Sequence, residues 1–221
     1  MRIPKWCAEA TVQVNDETVA DDVPAGSYVR ICRTWNSGDV ATLRLPMDIR
    51  VRRWTANHNS ISVDRGPLTY SLQIGARYVT RDPMQTARHD SQWRKDVDRE
   101  RWPSFEILPT TPWNYGLMLD PSAVEQSFTV QVGDWPEDDY PFTAAQAPVR
   151  LKCKARRIPE WELDSTRLCA PLQDSPVYSR LPDETITLLP MGAARLRISA
   201  FPEVLDDRNL RGWRPQSPRG L

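Results

Sequence analysis

The chain has 221 residues, and its 29 basic and 29 acidic side chains give a formal net charge of zero. Nucleic-acid-binding surfaces show a basic excess, so this balance excludes nucleic acid as an expected partner. No apolar run is long enough to span a membrane, and the N-terminal residues lack the apolar core of a signal peptide, so neither a membrane partner nor a signal peptide is predicted.

The first third of the chain alternates between apolar and polar residues, as half-buried strands do. Residues 27–35 and 40–47 are separated by the turn-forming residues 36–39 and predict a β-hairpin. The clearest strand is 68–74, which places Leu68, Tyr70, Leu72 and Ile74 on one face and follows a turn at 65–67. We predict that this strand closes a first β-sandwich, residues 1–74.

The rest of the chain predicts a second β-sandwich. Alternation breaks near a densely charged stretch, 82–103, which we interpret as a surface insertion because it has too few apolar residues to bury a face. Patterned segments resume afterwards, at 105–108, 128–132, 149–155, 186–189 and 194–200. The predicted fold is therefore all-β, with antiparallel sandwich modules and few short helices, and comprises 1–74, 75–202 and a disordered tail, 203–221.

The sequence offers few residues for acid–base catalysis or metal binding. Asp64 and Glu106 are the carboxylates beside strongly patterned segments, and each is more typical of a solvated turn or edge than of a glycosidase pair. The two histidines, His58 and His89, lie in polar loops. No catalytic residue and no metal ligand is predicted from these residues.

The four cysteines form no CxxC pair, which argues against a zinc ribbon or a redox motif. Cys32 and Cys153 lie inside alternating runs, where a free cysteine behaves as a small buried apolar residue. A disulfide between any two of the four cysteines is left open.

The most site-like cluster is Trp113-Asn114-Tyr115. Two amphipathic aromatic residues flank an amide that both donates and accepts hydrogen bonds. A carbohydrate platform and a contact between domains would both use this combination, and the structural role is the more common one.

Several short motifs, taken in order, resemble glycoside hydrolase family 127, the β-L-arabinofuranosidase-like enzymes. Each motif is weak alone, but their order and spacing are specific over roughly residues 2–202. The motifs are residues 2–7, 14–15, 25–28, 33–39, 45–47, 65–70, 111–116 and 189–198. Two turn positions depart from the family pattern, with Asp16 and Lys5 each standing where the family has glycine.

The resemblance implies a specific architecture, in which a helical (α/α)6 barrel precedes β-sandwich domains and this chain corresponds to the sandwiches. It also implies that the catalytic cysteine and the zinc, held by cysteines and a glutamate, lie in the barrel, so no catalytic residue and no cofactor transfers to this chain. We therefore expect a non-catalytic portion that braces a barrel. A free-standing carbohydrate-binding module is the alternative, and a small independent hydrolase ranks lowest.

The resemblance further implies that the first sandwich, residues 1–74, is N-terminally incomplete. An incomplete sandwich would expose an unpaired edge and an apolar face. The expected partners are accordingly a helical-barrel catalytic domain or a second copy of the chain, with carbohydrate as a ligand of the Trp113-Asn114-Tyr115 cluster.

Overall fold

A computed structural model describes residues 1–81, 94–165 and 168–205. Two 3-10 turns, Val124–Ser127 and Met191–Ala193, are the helical segments of these residues. All strand ladders in them are antiparallel. The strands are β1 (Ala10–Val14), β2 (Glu17–Val23), β3 (Ala41–Arg44), β4 (Ile49–Trp54), β5 (Ser60–Arg65), β6 (Leu68–Leu72), β7 (Ala76–Arg81), β8 (Ser104–Pro109), β9 (Tyr115–Leu117), β10 (Phe128–Val132), β11 (Val149–Arg157) and β12 (Glu184–Pro190). The predicted all-β class is confirmed.

The N-terminal strands form a three-stranded sheet in the order β2-β1-β3. The strand β1 lies in the centre, where Val12 is in register with Leu43 of β3. A small apolar core of Ile3, Cys7 and Ala10 lies beside this sheet, and its members are fully buried.

The predicted hairpin of 27–35 with 40–47 is wrong. The strand β3 pairs with β1, and residues 27–35 form no strand beyond an isolated bridge between Tyr28 and Arg2. Alternation predicts which face of a strand is buried, but it does not determine which strand pairs with it. Here β3 pairs with the central strand β1 instead of with residues 27–35, to which the turn at 36–39 was expected to join it.

A second sheet of seven strands carries the main core. Its order is β10-β11-β12-β6-β5-β4, and β9 pairs with the far end of β11. The inward side chains of β11 are Leu151, Cys153 and Ala155, as the alternation predicts, and all are buried. They pack with inward residues of β5, β6, β9 and β12 into one apolar cluster.

The predicted boundary strand lies inside this sheet. Leu72 of β6 is in register with Leu188 of β12, while Asp64 of β5 pairs with Thr69 on the other side of β6. Strands from before and after residue 74 therefore share one sheet, and the predicted division at 74 does not fall between sheets.

The C-terminal segment 198–205 is built into the fold. The strands β5 and β6 pair only near their turn, and the segment fills the gap between them beyond it. The Leu72 amide donates to the Ile198 carbonyl at 2.8 Å, and Ile61 and Phe201 exchange backbone hydrogen bonds at 2.7 and 2.8 Å. The predicted disordered tail, 203–221, is thus wrong for 203–205, which continue this segment, and 206–221 lie outside the described residues.

The charged stretch predicted near 82–103 connects β7 to β8. These two strands pair over their whole length, from Ala76↔Pro109 to Arg81↔Ser104. Residues 82–93, including His89, lie outside the described residues, and 94–103 form turns and short irregular segments. Among the residues that the structure covers, no helix has the length and apolar character needed to cross a membrane.

Gly116 of β9 allows the C-terminal segment to approach closely. A Cβ atom at this position would lie 2.5 Å from Val204 Cγ2 and 3.1 Å from the Pro202 carbonyl oxygen. We expect Gly116→Ala to reduce the free energy of unfolding by about 1–3 kcal/mol, because overpacking forces side chains and backbone to shift. Urea denaturation measures this loss.

Gly133→Ala is the matched control, since the nearest atom to its added Cβ would be the Pro148 carbonyl oxygen at 3.8 Å. Equal stability of the two alanine variants would contradict the close packing of β9 against 202–204.

Candidate functional site

The predicted cluster Trp113-Asn114-Tyr115 lies at the start of β9, whose first residue is Tyr115. Asn114 forms two hydrogen bonds with Ile158. The side-chain Nδ2 donates to the Ile158 carbonyl at 2.9 Å, and the backbone carbonyl of Asn114 accepts from the Ile158 amide at 2.8 Å. The Asn114 side chain therefore fixes this segment to the chain that follows β11, and its amide group already has a protein partner.

Tyr115 is buried in the main core. Its hydroxyl donates to Oε2 of Glu184 at 2.7 Å and so connects β9 to the start of β12. Burial, followed by the Glu184 carboxylate, raises the pKa of Tyr115 to about 12. The phenol is accordingly a protonated hydrogen-bond donor at neutral pH.

Trp113 is half-buried. It packs edge-to-face on the buried Trp161, with the ring centroids 5.2 Å apart at an interplanar angle of 77°. The Nε1 of Trp161 donates to the Ala170 carbonyl at 3.0 Å, which orients that ring. One edge of Trp113 is thus held by protein, and the remainder lines a surface depression.

That depression, which we call the apolar groove, has a volume of about 580 Å³. Leu163 and Leu168 stand at it with much of their surface in solvent, and Leu168 is 66% exposed. Arg77, Glu106 and Arg197 add charge to the lining. The remaining lining residues are Ile74, Ile107, Leu108, Pro109, Trp113, Cys169, Leu196 and Ile198.

A second depression, which we call the tryptophan cleft, lies on the outer face of β4, β5 and β6 and has a volume of about 300 Å³. Its lining residues are Arg52, Trp54, Asn57, Ser62, Asp64, Thr69, Ser199 and Ala200. The sequence reasoning did not single out Trp54. The signal was present, because alternation along β4 places Arg52 and Trp54 on the face opposite Ile49 and Val51.

The acids named from sequence do not meet. Asp64 lines the tryptophan cleft and Glu106 lines the apolar groove. The Nδ1 of His58 lies 2.7 Å from Oδ1 of Asp174 at the surface. His58 lines neither the tryptophan cleft nor the apolar groove.

The potential metal ligands among the described residues are likewise not brought together. Within residues 1–81, 94–165 and 168–205, no group of three His, Cys, Asp or Glu side chains is placed to hold a metal ion. All four cysteines are free thiols, so the disulfide left open by the sequence is not formed. Cys7 and Cys153 are buried, and Cys32 and Cys169 are exposed. These thiols do not provide the cysteine-and-glutamate donor set that the family resemblance implies for zinc.

One family model matches the N-terminal part of this chain. Residues 1–47 match the family model described as "Beta-L-arabinofuranosidase, GH127 middle domain". No curated protein matches the chain. The matched residues cover the three-stranded sheet and segment 27–35.

Two solved structures align with a longer stretch of this chain. One, titled "Glycoside hydrolase", aligns with 92% of this chain at 19% identity and a TM-score of 0.51. Another, the GH127 β-L-arabinofuranosidase Ara127N-Se from Geobacillus stearothermophilus T6, aligns with 92% of this chain at 19% identity and a TM-score of 0.47. This chain spans 27% and 25% of the length of those two proteins. The resemblance to glycoside hydrolase family 127 is thus confirmed: residues 1–47 match the model of the family's middle domain, and the fold is similar to that of a solved glycoside hydrolase.

Proposed function

We propose that this chain is a non-catalytic β-sandwich portion of a GH127-like glycoside hydrolase of the β-L-arabinofuranosidase type, and that it braces a catalytic helical barrel. The observation that carries the proposal is the match of residues 1–47 to the GH127 middle domain. The likeness of fold supports the same assignment over most of the remaining chain.

The apolar groove supports the bracing role, since it offers a surface for the barrel. Exposed apolar patches on soluble domains commonly mark interaction sites. Leu163, Leu168 and the free part of Trp113 provide such a patch, and Arg77 and Arg197 supply polar groups beside it. In this proposal Trp113, Asn114 and Tyr115 serve the domain contact: the last two hold the segment in place, and Trp113 reaches the groove.

The placement of the acids supports the non-catalytic part of the proposal. Most glycosidases place two carboxyl groups on opposite sides of the bond that they cleave, whereas the family resemblance implies a catalytic cysteine and zinc in the barrel. Asp64 and Glu106 line separate depressions, and Asp64 is already bound by Arg52 and Thr69. We therefore expect this chain alone to leave an aryl β-L-arabinofuranoside intact.

A reconstitution experiment tests the proposal. The helical barrel of a family 127 β-L-arabinofuranosidase, produced without its own sandwich domains, is titrated with this chain by calorimetry, and the mixture is assayed for hydrolysis. We expect binding, a higher melting temperature for the barrel, and hydrolysis only when the barrel is present. Leu168→Asp should weaken binding at least tenfold, because it places a charge in an apolar contact.

Val132→Asp is the matched control, since Val132 is 73% exposed on β10 and does not line the groove. Hydrolysis by this chain alone that a point substitution abolishes would overturn the proposal. So would absence of binding to the barrel, or equal affinities of the two aspartate variants.

A further inference from the structure

We propose that the tryptophan cleft binds a single neutral sugar unit of a glycan, with Trp54 as the stacking ring and Asp64, Arg52 and Thr69 as the groups that bind its hydroxyls. This site differs from the cluster that the sequence singled out, and it goes beyond the bracing role. It supplies the observation that favours a carbohydrate-binding function.

Trp54 is held in place while part of its ring remains available. Its Nε1 donates to the Ser62 hydroxyl at 3.0 Å, so the polar end of the indole is bound to the sheet. The Arg52 guanidinium lies over the ring, with its Cζ 5.1 Å from the centroid. The residue is still 41% exposed. An indole that is fixed yet exposed is suited to stacking because little side-chain entropy is lost on binding.

The polar groups beside the ring form a connected network. Asp64 accepts from Arg52 Nη2 at 2.9 Å and from the Thr69 hydroxyl at 2.7 Å, through different carboxylate oxygens. Each of these oxygens has a second lone pair, and a guanidinium has five N–H donors. The network therefore presents acceptors and donors in fixed directions, which the vicinal hydroxyls of a sugar can use together.

Charge and size define the ligand class. The positive charge of Arg52 and the negative charge of Asp64 neutralise each other within the cleft, which favours a neutral sugar over a uronic acid. A volume of about 300 Å³ lies at the lower end of ligand-site volumes and accommodates one sugar ring at a chain end or branch. Binding through one ring and a few hydrogen bonds corresponds to a Kd on the order of 1 mM.

Trp135 is an exposed tryptophan outside the cleft. Trp135 is 60% exposed and its Nε1 donates to Asp139 at 2.7 Å, but it does not line the cleft. Trp135 thus provides the matched comparison, since it is an exposed tryptophan whose nitrogen is also satisfied.

The test is affinity electrophoresis of the full chain in gels that contain soluble arabinan, arabinoxylan or polygalacturonate. We expect retardation in at least one of the neutral glycans and none in polygalacturonate. Trp54→Ala and Asp64→Asn should each raise the apparent Kd at least tenfold, whereas Trp135→Ala should leave it unchanged. Circular dichroism verifies the fold of each variant, and Asp64→Asn decides the outcome if Trp54→Ala is not folded.

Several results would overturn the proposal: no retardation in either neutral glycan, stronger retardation in polygalacturonate, or equal loss from Trp135→Ala. The barrel titration described above is independent of these gels. Failure of the sugar site therefore leaves binding to the barrel intact, and failure of the bracing role leaves retardation of the chain intact.

Discussion

Phe201→Ala is expected to lower the free energy of unfolding by about 3–5 kcal/mol, the usual cost of removing a fully buried phenylalanine. Phe201 has no exposed surface and belongs to the main core. It also exchanges two backbone hydrogen bonds with Ile61, at the place where the C-terminal segment separates β5 from β6. The cavity would open in the main core, where the Phe201 side chain packs with buried residues of β5 and β6.

Phe142→Ala provides the control, because Phe142 is exposed and contacts the edge of Tyr140 rather than the main core. Urea denaturation followed by circular dichroism measures both losses, and we expect the control to lose less than about 1 kcal/mol. Similar losses from the two substitutions would show that the C-terminal segment is not part of the cooperative core.

Alternation in the sequence predicted most strands but not their neighbours. β11 illustrates the success, because Leu151 and Cys153 point inward and Lys152 points outward, as the pattern requires. Segment 27–35 illustrates the limit, since it alternates well and yet forms no ladder. Pairing depends on which strands meet in three dimensions. The mostly polar composition after Pro202 obscured the apolar pair Val204 and Leu205, and the Val204 amide donates to the Leu117 carbonyl at the end of β9.

The two candidate sites also differ in whether the sequence could predict them. Trp113-Asn114-Tyr115 was visible as a cluster because its members are adjacent in sequence. The tryptophan cleft was not, because Trp54, Asp64 and Thr69 come together only through the pairing of β4 with β5 and of β5 with β6. Sites built across a sheet face require the register, and the sequence shows the alternating faces without it.

Stability should fall steeply in alkali because Cys153 is buried in the main core. Burial raises the pKa of this thiol from its ordinary value of 9.0 to about 12. The unfolded chain therefore loses the thiol proton at a lower pH than the folded protein does. The stabilisation from keeping the thiol neutral is complete below pH 9 and is lost as the pH rises towards 12, by up to about 1.4 kcal/mol per pH unit.

Cys153→Ala isolates this contribution, because it removes the ionising group and leaves the other titrating side chains unchanged. Guanidinium unfolding curves at pH 7, 9, 10 and 11 give the free energy of unfolding for both proteins. We expect the variant to be less stable at pH 7, since it lacks a buried sulfur, but to lose about 2–3 kcal/mol less than the wild type between pH 9 and pH 11. If the stability of the two proteins changed in parallel with pH, the Cys153 thiol would not be shielded from solvent. The packing of β11 between β10 and β12 would then be looser than the register Phe128↔Cys153↔Ile186 indicates.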